Sequence, residues 1–316
     1  MSKRETVLKL LDENELPEYT PAAFFLHFDP EYHQGQAAVE KHLEYFRYTG
    51  MDFIKIQYER LFPHLAEIRR PEDWANLPKY TQEFYAPQLE AVAGLVKAAK
   101  REALVVQTLY SPFMCAAHTA GGELLTQHIQ ENPEAVKKGM EIITDSLMTF
   151  VQSCIALGID GFYHSTQGGE VGRFSDRQLF DLCVKPYDRI LMDEINRTCI
   201  FNILHVCDYN GPYDDLTPYL DYPGQIVNSP LEIGGRRVSP KEIARMFRRP
   251  FMGGLDRKGV LLTGSPEMIQ RTAQDVLRQA PRRFILGADC TVPSEVNWDN
   301  LRLAIETAHE YQPEKG

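Results

Sequence analysis

No apolar run in the chain comes near the roughly 18 residues that a membrane span requires. Basic charge is also short. Against 34 Lys and Arg stand 44 Asp and Glu, a net charge of −10. A nucleic-acid or anionic-membrane surface needs a basic field, so those functions are not expected. Met1 to Leu16 is charged and amphipathic and lacks the shape of a signal peptide, which makes the cytoplasm the expected location. Gly168-Gly169 and Gly253-Gly254 lack the spacing of a nucleotide-binding loop and read as turns or points of close backbone approach. Six cysteines are scattered through the chain without a disulfide-framework pattern, and reduced thiols are expected. Cys154 and Cys183 lie in helix-like runs and read as packing residues.

What the chain does have is alternation. Short apolar or alternating runs at residues 22–26, 52–58, 103–109, 159–164, 199–205, 224–228, 249–255 and 283–287 predict strands. Between and after them, helical spacing predicts helices over 36–48, 88–100, 133–157, 176–198 and 266–279, with a last one from Trp298 to Tyr311. A short helix is expected near 214–220 and another from Ser239-Pro240. Gly50 and Gly158 are stop signals, Pro133 suits a first helical turn, and Ser175 is an expected N-cap. Eight strand–helix units in this order predict a single (β/α)8 TIM barrel, α/β in class and spanning residues 1–316. Two doubly wound domains are the competing architecture, but no linker or composition shift divides the chain.

In such a barrel, chemistry sits at the carboxyl ends of the strands. There the sequence places His205-Val206-Cys207 and, far downstream, Gly287-Ala288-Asp289-Cys290. His and Cys two apart on a strand share a face, because side chains alternate with period two. A Cys from another strand end completes three ligands, the pattern of a zinc ion with one open position. The plain alternative is that these cysteines are small buried hydrophobes. Polar residues at other strand ends, His27, Gln57, Tyr58, Gln107, His164 and Gln167, are read as facing the same mouth and as candidates for substrate binding. For His164 the alternative is a satisfied structural histidine.

Glu170, in the loop after the fourth strand, is a candidate fourth metal ligand or else a solvated loop acid. Asp289 is placed to orient a ligand from behind. Asp256, with Arg257 and Lys258, is a candidate contact for an anionic substrate group or else a solvated turn with its own ion pair.

Three segments carry a resemblance. Ser2-Lys3-Arg4-Glu5-Thr6-Val7-Leu8, Gly253-Gly254-Leu255-Asp256-Arg257-Lys258-Gly259, and Ile285-Leu286-Gly287-Ala288-Asp289-Cys290 followed by Asn300-Leu301 resemble the opening helix, the strand-seven turn and the closing motif of the uroporphyrinogen decarboxylase superfamily. Within it, His205, Cys207 and Cys290 match the His-x-Cys…Cys zinc ligands of the corrinoid methyltransferase branch. The resemblance implies an N-terminal helix at about 2–13. It also implies a bound Zn²⁺, methyl transfer to a small thiol or a folate-type acceptor, and a corrinoid carried on a partner protein. No Asp-x-His-x-x-Gly corrinoid motif occurs in this chain. A homodimer is compatible with all of this.

The decarboxylases proper carry arginines after the first strand to hold substrate carboxylates. Here that stretch reads Leu26-His27-Phe28-Asp29-Pro30-Glu31-Tyr32, with no arginine. A metal-free decarboxylase or other lyase remains the alternative activity, and a non-catalytic binding barrel is the third reading.

Overall fold

The computed structural model describes residues 2–312; residue 1 and residues 313–316, inside the expected span 1–316, lie outside the described residues. Seven parallel strands form one curled sheet. They are β1 (Phe53–Ile56), β2 (Leu104–Tyr110), β3 (Gly161–Thr166), β4 (Ile203–Val206), β5 (Ile226–Asn228), β8 (Phe251–Leu255) and β9 (Phe284–Ala288), paired in that order. A small antiparallel hairpin, β6 (Glu232–Ile233) with β7 (Arg236–Arg237), turns through Gly234 and Gly235. Both glycines have positive φ (58° and 70°), where a side chain would be strained.

The expected first strand at 22–26 is extended, but its one recognised bridge is Ala22 with Leu286. Even so, it closes the ring. On one side Ala23 N–H donates to Leu286 O (3.0 Å) and Leu286 N–H to Pro21 O (2.9 Å); on the other, Asp52 N–H donates to Ala22 O (3.0 Å). The expected TIM-barrel architecture thus stands, with seven paired strands and an eighth stave held at both edges by a few bonds.

Helices wrap the outside. The helix Gly35–Thr49 ends at Gly50, which takes the left-handed conformation (φ 76°). Pro133–Ala156 starts on Asn132, whose side chain caps Ala135 N–H. Pro240–Phe247 starts on a Ser239/Glu242 capping box. The N-terminal helix is Lys3–Leu8, continued by a 3₁₀ turn over Lys9–Leu11.

Two expectations change. The helix expected over 176–198 is two helices, Gln178–Cys183 and Lys185–Thr198, because Pro186 in the second has no N–H to continue the ladder. Ser175 is not its cap; its N–H and hydroxyl both donate to Gln130 Oε1. Two further helices, Pro112–Ala120 and Gly122–Glu131, stand where no element is expected. Among the described residues, no helix is long and apolar enough to cross a membrane.

The parallel register sorts side chains into inward and outward sets. Thr108, Tyr163 and Ile203 are partners across β2, β3 and β4, as are Leu109, His164 and Leu204 one step on. Because faces alternate along a strand, the first set faces the barrel interior and the second faces the helices.

Candidate metal centre

His205 on β4, Cys207 just after it and Cys290 just after β9 bring their donor atoms together. All three lie within 4.8 Å of one another. His205 Nε2 is 3.4 Å from Cys290 Sγ, and the two sulfurs are 3.9 Å apart. A tetrahedral zinc with its usual bond lengths needs about 3.6 Å between nitrogen and sulfur and about 3.8 Å between sulfurs. The donor set and its spacing therefore fit zinc.

Local structure explains the placement. Period two puts His205 and Cys207 on the inward face. Cys207 N–H donates to Thr166 O on β3 (3.0 Å), and its carbonyl accepts from Tyr213 OH (3.0 Å). The His205 ring lies against Tyr163, with centroids 4.9 Å apart and planes at 31°. Tyr163 is itself fixed by its hydroxyl on Asn228 Oδ1 (2.6 Å). Nδ1 of His205 is buried without a partner among the described residues, so the ring is held by packing on Tyr163 rather than by a hydrogen bond from behind.

The thiols titrate as a pair. Cys207 is held below the ordinary thiol range because the neighbouring Cys290 S–H hydrogen-bonds to its thiolate, against the opposing effect of burial. Cys290 is pushed up by that same bond and by burial. One proton leaves readily and the second does not, unless a cation replaces it.

The three donors border a cavity of about 1040 Å³ at the mouth of the barrel. Gln167 lines it, and its amide donates to Cys207 Sγ (3.4 Å) while Asn210 donates to its oxygen (2.9 Å). His27 and Tyr58 line it too; His27 Nδ1 is 2.8 Å from Glu59 Oε1, and the Tyr58 hydroxyl is buried without a partner among the described residues.

Other expected residues lie elsewhere. Gln107 and His164 occupy the outward face of β2 and β3, behind the cavity. The Gln107 amide is spent on Thr108 O (2.8 Å), and His164 Nε2 sits 4.0 Å from Asp188 Oδ1. Asp256 is exposed, outside the cavity, and caps its own turn by accepting from Lys258 N–H (2.8 Å). Glu170 is buried away from the donor cluster, accepting from Gly168 N–H (2.9 Å) and Arg173 Nε (3.0 Å). It is not placed as a fourth ligand.

Sequence reasoning missed two contributors. Lys55 reaches the cavity from β1, fully buried, between the Phe25 and Tyr163 rings (4.7 Å to each centroid), with its ammonium on Gln57 Oε1. Burial pushes its pKa down to about 7. Its signal was present, since a lysine in the middle of the apolar strand Phe53–Ile56 is costly and calls for a reason. The helix Pro112–Ala120 supplies Met114, Ala117 and His118 to the far wall. Its signal was Ser111-Pro112, a cap followed by a first-turn proline.

A family model described as uroporphyrinogen decarboxylase (URO-D) matches residues 46–311. No curated protein matches the chain. Among solved structures, a methyltransferase from Methanosarcina mazei is similar over 98% of this chain and 99% of its own, with TM-score 0.75 and 12% identity. A putative vitamin-B12 independent methionine synthase from Listeria monocytogenes covers 83% of this chain and 74% of its own (TM-score 0.51, 14% identity). A B12-independent methionine synthase from Shewanella sp. W3-18-1 covers 93% and 94% (TM-score 0.51, 11% identity).

Proposed function

The chain belongs to the uroporphyrinogen decarboxylase family, and from that premise we propose that it is a zinc-dependent methyltransferase, moving a methyl group between a corrinoid protein and a small thiol. The observation that carries this reading is the His205–Cys207–Cys290 cluster, spaced for zinc and opening on the cavity. These three residues would hold the metal at the edge of the cavity. Zinc, when bound, supplies the acidity that keeps an acceptor sulfur as thiolate at neutral pH. The chain's own residues do the rest. Gln167 hydrogen-bonds to Cys207 Sγ and holds that ligand's direction. Lys55 offers a buried cation for an anionic group on the acceptor. Tyr163 keeps the His205 ring in place.

A porphyrinogen-type substrate with many carboxylates suits this cavity poorly. Of its guanidinium groups, Arg257 is already shared by Asp208 and Asp289, and Arg173 is paired with Glu170. Two of the three neighbouring folds belong to proteins described as B12-independent methionine synthases, one of them putative. The methyl donor is therefore tested separately from the metal, and a folate-type partner is the second candidate.

The test is metal analysis of protein purified without added metal, beside Cys207→Ala and Cys290→Ala, followed by methyl transfer from a methylated corrinoid protein to a panel of thiols. About one zinc per chain, lost in both variants while the fold survives, and methylated thiol as product are expected. A wild type that takes up no zinc under reducing conditions, or a Cys207→Ser variant with unchanged turnover, overturns the reading in favour of a metal-free lyase.

A further inference from the structure

One side chain joins the loops that carry the two cysteines. Asp208 follows Cys207 directly, and Asp289 precedes Cys290. Arg257, just beyond β8, reaches both: its Nη1 donates to Asp208 Oδ1 (2.8 Å) and to Asp289 Oδ2 (2.6 Å). Asp289 Oδ1 accepts two backbone N–H groups, from Arg257 (2.8 Å) and from Cys290 itself (3.1 Å). All three side chains are largely buried, with 12% exposure for Arg257 and 19% for each aspartate.

The two cysteines depend on this cluster unequally. Cys207 is tied to β3 and to Tyr213 through its own backbone. Cys290 is partly exposed; its loop is tied by Asp289 N–H to Leu255 O and Val292 N–H to Phe25 O, but among the described residues its own N–H bonds only to the Asp289 carboxylate. We propose that Arg257 is the positioning residue of the metal centre: it fixes Cys290 against an already anchored Cys207, through Asp289 on one side and Asp208 on the other.

The electrostatics point the same way. Two carboxylates and two prospective thiolates crowd the strand ends, and Arg257 is the cation that bridges the two acids. Remove it and like charges on the two loops repel across a partly dry site, where screening is weak. The aspartates would separate, and Cys290 would swing with Asp289. A ligand held about an ångström too far weakens metal binding even though every donor is still present.

The zinc part of this inference rests on the proposed function; the thiol part does not, so two readouts are used. First, metal-free protein is alkylated with iodoacetamide and the modified cysteines are located by mass spectrometry. Arg257→Ala is expected to speed alkylation of Cys290 several-fold and to slow that of Cys207, which loses the Cys290 S–H on its thiolate. Capture of the thiol pair by phenylarsine oxide, which needs both sulfurs close together, is expected to weaken about ten-fold. Second, zinc affinity, measured by competition with a chromophoric chelator, is expected to fall about 10- to 100-fold. Arg257→Lys restores a cation on a different stem and is expected to recover part of both losses. Asp208→Ala, which removes one arm of the clamp, serves if Arg257→Ala fails to fold, and is expected to shift both readouts in the same direction.

A folded Arg257→Ala protein whose Cys290 alkylation, arsenical capture and zinc affinity all stay within two-fold of wild type overturns the proposal. If the wild type binds no zinc but the alkylation pattern changes as described, the zinc reading fails and the clamp stands.

Discussion

The Lys55 ammonium lies 4.7 Å from the centre of the Tyr163 ring, and that ring lies against His205 at a tilt. A buried cation thus stands two side chains behind a prospective metal ligand, inside the barrel. Burial disfavours its charged form and pulls its pKa to about 7, far below that of an unfolded lysine. Between those two values the unfolded chain binds a proton that the folded chain does not, so stability rises with pH across that window. Lys55→Met removes the penalty. It should stabilise the protein by about 1–3 kcal/mol at pH 7, after allowing for the lost cation–π contacts. The gain should shrink toward zero near pH 10. Denaturant melts at several pH values check this. In the same variant KM for an anionic acceptor should rise at least about ten-fold; an unchanged KM would remove Lys55 from the binding site.

His164 is one residue from Tyr163 and does the opposite job. Neither of its ring nitrogens has a partner among the described residues, and it packs behind the sheet near Asp188. Asp188 accepts from Thr166 Oγ1 (2.5 Å) and Tyr222 OH (3.0 Å), yet burial still pushes its pKa up to about 7. An acid raised in the folded state keeps a proton that the unfolded chain has lost, so its contribution to stability is full below pH about 4 and is lost as pH rises through about 7. Asp188→Asn can accept the same two bonds without the charge. It should raise stability above pH 7 by a few kcal/mol at most, flattening the pH profile in that window. His164→Leu should change stability by less than about 1 kcal/mol and leave KM unchanged, because no hydrogen bond and no cavity contact is lost. A large rise in KM in His164→Leu would return this residue to the site.

These two neighbours also show where the sequence stopped being informative. The barrel was readable because its strands are apolar and evenly spaced, and because glycines such as Gly50 stop the helices. The pairing of His205 with Cys207 follows from period two alone. The same rule applied across strands needs the register, and register is a tertiary fact. That is why Gln107 and His164 look like mouth residues in sequence and lie on the helix side in space. Asp256 and Arg257 are adjacent in a charged turn, and only the fold shows that the first caps its own loop while the second joins two others. The stave at 22–26 reads as a full strand because its side chains are apolar, but its backbone makes few ladder bonds.

At the amino end of the barrel, the N-terminal helix is tied down by Lys3 on the Gly50 and Met51 carbonyls, by Arg4 N–H on Glu102 O, and by one buried ion pair. Arg4 holds Asp160 with two bonds, Nη1 to Oδ2 at 2.7 Å and Nη2 to Oδ1 at 2.8 Å. The Asp160 side chain is only 1% exposed. Arg4→Ala leaves that carboxylate with Lys100 at 3.6 Å and the Val105 N–H. Losing one partner of a buried pair costs about 3 kcal/mol, read as a lower midpoint in urea. Zinc content should not move, since the pair lies at the amino ends of the strands. A drop of less than about 0.5 kcal/mol would mean that the helix is held by its apolar contacts and by the Lys3 and Arg4 backbone bonds rather than by this pair.

Gln167 offers a finer test of how the site treats sulfur. Its Oε1 accepts from Asn210, which turns Nε2 toward Cys207 Sγ. An amide N–H on a thiolate favours the charged form, so it adds to the Cys290 bond in holding Cys207 below the ordinary thiol range. Gln167→Leu removes that donor while keeping most of the volume. In metal-free protein, the pH midpoint for Cys207 alkylation should move up. In the metal-loaded protein, zinc affinity or turnover should fall about ten-fold, the usual cost of losing a contact just behind a ligand. Gln167→Glu should move the midpoint further in the same direction, because a carboxylate beside sulfur adds repulsion to the lost donor. If both variants leave the midpoint where it was, the amide only fills space and the low pKa of Cys207 belongs to the cysteine pair alone.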